Sequence, residues 1–286
     1  MIFVNNQQKS YFIEKFSQID SNLDSVSLAN LLCQMKEENV DIEDCIELVK
    51  TNPELANIIL RSANSSYYSR QKSCKNIHEA VQTIGLNETE KLIVIQLSKK
   101  NFSQDFNHYG IHADEFLQVS LLTALIMENV APTVSLDKGN AYTVGLIHGV
   151  SRNYINQALE DKHNVPFTVP RIHYLNIHSW EETLLGINHA DVSRVLMEFW
   201  GFPEALYLPV AYQFNPADVP REKNMTYLLV FSMSMAASVI LPESSELLFS
   251  EKFSKILLDC DLSIDKIEEE IPDIILEWQR VKDLFF

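Results

Sequence analysis

Glycine is scarce in this chain of 286 residues, with only 7, and prolines number 10. A loop-rich β fold or a disordered polymer calls for more of both, so the deficit excludes them. Positive charge is also short: 23 Lys and Arg stand against 39 Asp and Glu, a formal net charge of −16. Counterion release from a phosphate backbone needs a positive surface, and so does an anionic bilayer; no nucleic acid and no membrane are therefore expected as partners. No continuous apolar run reaches the roughly 18–20 residues of a bilayer span. The opening MIFVNNQQKSYF has neither the basic head nor the apolar core of a signal peptide. The four cysteines, Cys33, Cys45, Cys74 and Cys260, lack CxxC spacing and lie in or beside apolar helical stretches, as reduced, buried thiols do. The expected compartment is the cytoplasm.

What is present is apolar residue at helical spacing. Hydrophobic side chains make up 46% of the chain, enough for a sizeable core. Ile42, Cys45, Ile46 and Val49 recur at i, i+3, i+4 and i+7, one stripe of an amphipathic helix. Asn52-Pro53-Glu54 restarts the chain as cap, first helical residue and first-turn acid. Gly85 suits the end of a helix through Ala80, Val81 and Ile84, and Asn87 with Glu90 suits the start of the next. Residues 101–113 lose periodicity and mark an edge between lobes, so two regions are expected, 1–112 and 113–286. Further helices run from Phe116 to Ile126, from near Asn140 to Val150, and through Val192 to Phe199, with Ser179-Trp180-Glu181-Glu182 as a capping box or turn before the last. Residues 160–178, with two prolines and a short β-like run at Phe167 and Val169, read as an ordered excursion. Helices over 225–241, near 246–259 and over 263–284 complete an all-α, multi-helix bundle.

Several separated motifs, in order, carry a family resemblance. The segment 51–86 has Asn52-Pro53 before a helix, Ala63-Asn64-Ser65 at its end, Tyr68, and a later helix reading AVQTIGL. VGLIHGVSR over 144–152 is similar to the His-Asp helix of the HD phosphohydrolase superfamily. Glu182, Gly186, His189, Ala190, Asp191 and Val192, followed by Phe199-Trp200-Gly201-Phe202-Pro203, complete a pattern that resembles the HDOD domain over about residues 24–216. The resemblance implies an HDOD-like bundle, an N-terminal helical lobe packed on an HD-like one. By the residues alone, Asn64 and Ser65 serve a helix end and turn, with a recognition surface at Asn64, Ser65 and Tyr68 as the alternative.

A catalytic HD site holds a divalent ion on clustered imidazoles and carboxylates. At the positions the resemblance assigns to those ligands stand Val119, then His148 followed by Gly149 in place of the aspartate, then Gln213 and Phe214; the helix 225–241 has no acidic residue. His148 and His189 survive, with Glu182, Asp191 and Gln213 beside them in a vestigial site or pocket. Asp191, two residues beyond His189, points away from it on one helix. Ser151-Arg152 reads as a solvated surface pair, with anion binding as the alternative. No GxSxG, Walker loop, GxGxxG or HExxH occurs. The expectation is no enzyme, no metal and no cofactor. Function is expected to be signalling or regulation through unidentified protein partners, with a homo-oligomer left open. The alternative is a divergent HD-type phosphohydrolase or a nucleotide-sensing pocket.

Overall fold

The computed structural model describes residues 6–19, 24–36, 41–65, 68, 74–102, 106, 108–162, 177–241 and 262–285. Among them there is no strand beyond one isolated bridge between Phe106 and Ile111, and the chain is all-α as expected. The excursion over 163–176, with Phe167 and Val169, and the helix near 246–259 lie outside the described residues. Contacts divide the chain into two compact units, 20–100 and 1–19 together with 101–286.

The smaller unit holds α2 (Asp24–Met35), α3 (Ile42–Lys50), α4 (Pro53–Ala63), α5 (Ile77–Ile84) and α6 (Leu86–Asn101). The α3 stripe does what its spacing predicts: Cys45, Ile46 and Val49 are fully buried. Asn52 caps α4 through a 3.0 Å bond from the Leu55 N–H to its side chain, with Pro53 at the first helical position. Gly85 ends α5 with φ at +83°, a left-handed conformation that favours glycine. The next helix starts two residues earlier than a cap at Asn87 would set it. Gly85 O accepts from the Thr89 N–H at 3.1 Å and from its hydroxyl at 2.8 Å, so glycine fills the cap position and Asn87 falls inside α6.

The larger unit is built on α7 (Ala113–Val130), against which pack α8 (Lys138–Ile147), α13 (Lys223–Ile240) and α14 (Ile264–Phe285). With the turn that follows it, α7 is long and apolar enough by composition to cross a bilayer, although polar residues interrupt its apolar run. Its burial against three neighbours is that of a core helix. At Gly145 the α7 and α8 backbones come so close that a Cβ would meet Ala124 Cα at 2.6 Å. Around this core lie α1 (Asn6–Ile19), α9 (Arg152–Glu160), α10 (Ile177–Leu185), α11 (His189–Phe199) and α12 (Glu204–Ala211).

The contact boundary differs from the expected one at 112 because the described aromatic residues between 101 and 112, though aperiodic in sequence, pack into the larger unit. Phe102 and Phe106 pack on Phe116 at ring distances of 4.7 and 5.4 Å, and Tyr109 on Trp180 at 5.5 Å. Helix α1 joins the same unit through Phe16, 4.7 Å from the Tyr154 ring and 6.2 Å from Phe199. Ser179 is not a cap either. It lies inside α10, where its carbonyl accepts from Thr183, and Asn188 caps α11 instead, accepting from the Ala190 and Asp191 N–H groups at 2.8 and 3.1 Å.

Candidate functional site

The residues that the sequence singled out fall in three places. Asn64 and Ser65 close α4. The Asn64 amide donates to Leu60 O and Cys74 O and accepts from the Cys74 N–H at 2.7 Å, tying the end of α4 to the segment that leads into α5. The Ser65 hydroxyl donates to Ser62 O at 2.7 Å, and the Tyr68 N–H to Ser65 O at 3.2 Å. These are the bonds of a helix end and its turn. Nearby, α3, α4 and α5 leave an open groove of about 780 Å³, lined among others by Lys50, Asn57, Leu60, Lys75, Asn76 and His78.

His148 and His189 lie in the core of the larger unit, both fully buried. His148 follows α8, its Nδ1 2.6 Å from Gly145 O, and its own carbonyl accepts from the Gln213 amide at 3.1 Å. Gln213 also donates to Val210 O, while its Oε1 is buried with no partner among the described residues. Phe214 stacks on His178 at 4.1 Å and meets His189 edge-on at 5.0 Å. Where the resemblance leads one to expect two histidines, one residue braces backbone and the other fills space.

His189 anchors a chain of polar bonds. The Arg152 guanidinium lies 3.1 Å from its Nε2, and its Nδ1 lies 2.7 Å from Glu181 Oε2 and 2.9 Å from Oε1. A guanidinium can only donate, so Nε2 is the acceptor and the ring proton sits on Nδ1, donated to Glu181. Glu181 also accepts from the His189 N–H at 2.7 Å and from the Tyr109 hydroxyl at 2.7 Å. Ser151 donates to His189 O at 2.6 Å and sits 2.8 Å from the Ser193 hydroxyl. The guanidinium also lies over the Phe116 ring, 4.5 Å from its centroid. Arg152 and Ser151 are thus not a solvated surface pair, being 1% and 0% exposed. The amphipathic face of α9 carries them inward with Ile155 and Leu159.

The electrostatics follow from this burial. Burial pushes the His189 pKa from 6.5 down to about 4, with the Arg152 charge adding to the fall and Glu181 opposing it. His148 goes from 6.5 to about 3, again chiefly by burial, with the Gly145 carbonyl opposing and Arg152 adding. Burial alone would raise Glu181, yet His189, Arg152 and the Tyr109 hydroxyl together hold it below the ordinary carboxylate value. Both histidines are neutral, and the buried core carries one guanidinium and one carboxylate.

The divalent ion of a catalytic HD site does not fit this donor set. The lone pair that His189 Nε2 would offer is already taken by Arg152, whose fixed charge would oppose a second cation. Gly149 offers no carboxylate, and a Cβ there would meet Phe116 Cζ at 2.4 Å. Glu182 and Asp191 do not join His189. Glu182 accepts from the Asn188 amide at 2.6 Å and, with Asp191, lines a separate cavity of about 140 Å³ bordered by Arg194, Tyr212 and Asn215. Asp191 therefore points away from His189, as its two-residue offset requires. Burial, aided by the Glu182 charge, raises the Asp191 pKa from 3.8 to about 6. Among the described residues no group of three or more His, Cys, Asp or Glu could hold a metal ion.

Tyr109 escaped the sequence reading, which placed Arg152 on the surface and Glu181 in a capping box. Arg152 shares its helix face with Ile155 and Leu159, and Glu181 lies one turn after the buried Ile177, so a correct helical register would have placed both inside.

Comparison with known proteins identifies the family and the fold. The HDOD domain family model matches residues 25–216. An HDOD domain protein with unknown function from Geobacter sulfurreducens superposes with a TM-score of 0.65 at 19% identity, over 91% of this chain and 92% of that one. A "Putative signal transduction protein" from Marinobacter aquaeolei VT8 gives 0.70 at 20%, over 90% and 57%. A "Putative phosphohydrolase" from Shewanella amazonensis SB2B gives 0.63 at 17%, over 91% and 93%. In sequence, an uncharacterized protein of Treponema pallidum (strain Nichols) is 20% identical over 220 residues, 73% of this chain, which spans 40% of that relative's length.

Proposed function

The chain belongs to the HDOD domain family, and on that premise we propose that it is a non-catalytic signalling module that works through protein–protein contact. One observation carries the reading: Arg152 occupies the face of His189 that a catalytic metal would need, 3.1 Å from Nε2. Metal-assisted hydrolysis requires a Lewis acid with an open position for water. Here a guanidinium stands in for the ion, holding the same helices together with a charge that cannot activate water. A bundle that lacks this ligand set leaves its surface as the means of action, and the groove beside α4 and α5 supplies one. A cytoplasmic setting accords with the thiols of Cys33, Cys45 and Cys74, none of which is in a disulfide.

The test pairs elemental analysis of the purified chain with phosphoester hydrolysis in the presence of Mn²⁺ or Fe²⁺. The reading expects substoichiometric metal and no turnover. Stoichiometric metal with hydrolysis abolished by His148→Ala and by His189→Ala would overturn it in favour of a divergent phosphohydrolase.

A second reading rests on the cavity at Asp191, whose Oδ2 is buried with no partner among the described residues. It is a sensing pocket without catalysis. At about 140 Å³ the cavity falls below the roughly 300–1,000 Å³ of ordinary ligand sites, so it suits a small cationic or hydrogen-bonding ligand rather than a nucleotide. A thermal-shift screen of small amines against nucleotides separates the two, since a ligand of the native state raises its melting temperature.

A further inference from the structure

Helix α14 has two faces of different character. Ile267, Ile274 and Val281, seven residues apart, are buried toward the core, where the helix meets α7. On the solvent side Ile271, Ile275 and Leu276 are 41%, 50% and 66% exposed. The described residues expose six large hydrophobic side chains in this way, and three of them sit on this one helix. Single exposed apolar residues are ordinary, but a cluster within six positions of one helix marks a contact surface.

The charges around that cluster say what covers it. The first half of α14 carries Asp265, Glu268, Glu269, Glu270 and Asp273 against a single Lys266; in the second half Arg280 is paired with Glu277 at 2.5 Å, and Lys282, followed by Asp283, stands exposed. At about 100° per residue, Glu268, Ile275 and Lys282 lie within about 20° of one line along the exposed side. We propose that this face is a self-association surface, on which α14 of a second copy lies antiparallel about a two-fold axis at Ile275. That axis sets Ile275 against its own copy and, about 10 Å to either side, Glu268 of each chain against Lys282 of the other. An isologous interface requires such self-complementarity: residue i meets j, and j meets i. Parallel pairing would oppose Glu268 to Glu268 and align the two helix dipoles, so the antiparallel arrangement is favoured twice. One helix pair buries less than a standard interface, so the dimer is weak and concentration-dependent.

Sedimentation velocity of the full chain across the micromolar range tests this, at low and at high salt. The mass should climb from one copy to two with concentration, and high salt should shift the climb upward. Ile275→Asp should leave the helical circular dichroism intact and hold the chain monomeric. Lys282→Glu should raise Kd about tenfold, the weight of two reversed rim pairs. Adding Glu268→Lys should restore the original Kd, because only antiparallel pairing brings the swapped charges together. A chain that stays monomeric throughout, a dimer untouched by Ile275→Asp, or a charge swap that fails to restore association would each overturn the proposal. If Ile275→Asp unfolds the chain, the exposed charge variants decide alone.

Discussion

Replacing Gly149 with alanine adds one methyl group where an HD enzyme would carry its aspartate, and the geometry sets its consequence. The new Cβ would lie 2.4 Å from Phe116 Cζ and 2.8 Å from Cε1. Carbon atoms touch at about 3.5–4.0 Å, so the overlap exceeds 1 Å. Phe116 has little room to retreat, with Phe102 4.7 Å away, Phe106 5.4 Å away and the Arg152 guanidinium over its face. Overpacking of this kind costs about 1–3 kcal/mol. Gly149 is not among the glycines with positive φ, so its backbone accepts alanine without strain and the penalty is steric. Urea denaturation followed by circular dichroism should show that loss, with a fall in melting temperature of about 2–12 °C at roughly 2–4 °C per kcal/mol. In a Phe116→Leu background the penalty should shrink, because the obstructing ring is gone. Alanine as stable as glycine, or a penalty unchanged by Phe116→Leu, would refute the claim that Phe116 has filled the space of the lost carboxylate.

Three more expectations follow, two from the same core and one from the end of α4. Both histidines have folded pKa values below 6.5, about 3 and about 4, so between those values and 6.5 the unfolded chain binds protons that the folded chain refuses. Their stabilisation is complete above pH 6.5 and is lost as pH falls toward 3, up to about 5 kcal/mol for His148 and about 3 for His189 at 1.36 per unit. Denaturation midpoints measured from pH 8 to pH 4 should drop steadily; a flat profile would contradict buried neutral imidazoles. Asp191, raised to about 6, acts in the opposite direction but is partly exposed and should only blunt the slope. Arg152→Met should cost about 3–5 kcal/mol by leaving the Glu181 carboxylate uncompensated, and Glu181→Gln in the same chain should recover part of it in a double-mutant cycle. Asn64→Ala removes two hydrogen bonds that tie α4 to Cys74 and one to Leu60 O within α4, and urea denaturation should show a loss of about 1–3 kcal/mol.

The helices were legible because their signals are local. The α3 stripe, the Asn52-Pro53 cap and the Gly85 stop each depend on residues within one or two turns. The boundary at 112 was not, because Phe102, Phe106 and Tyr109 show no period yet bury themselves in contacts that only the tertiary fold supplies. Of the site, Val119, Gly149, Gln213 and Phe214, which stand where the resemblance assigns ligands, could be read position by position. What replaced the ligands could not. Arg152 looked like a surface residue since arginine seldom is buried, and Glu182 drew notice over Glu181 because the family pattern carries it, while a cap at Ser179 would start α10 three residues late. A single residue of helical register decides which of two adjacent glutamates faces the core.

The central claim is that Arg152 holds His189 as a neutral imidazole protonated on Nδ1, with Nε2 closed to metal. Nitrogen-15 NMR of the histidine side chains reads this directly, with His189→Gln assigning the signal. The account predicts a protonated Nδ1, an unprotonated Nε2 and no change in either on adding Zn²⁺ or Mn²⁺ near neutral pH. A proton on Nε2, or a metal-induced shift of that nitrogen, would contradict it.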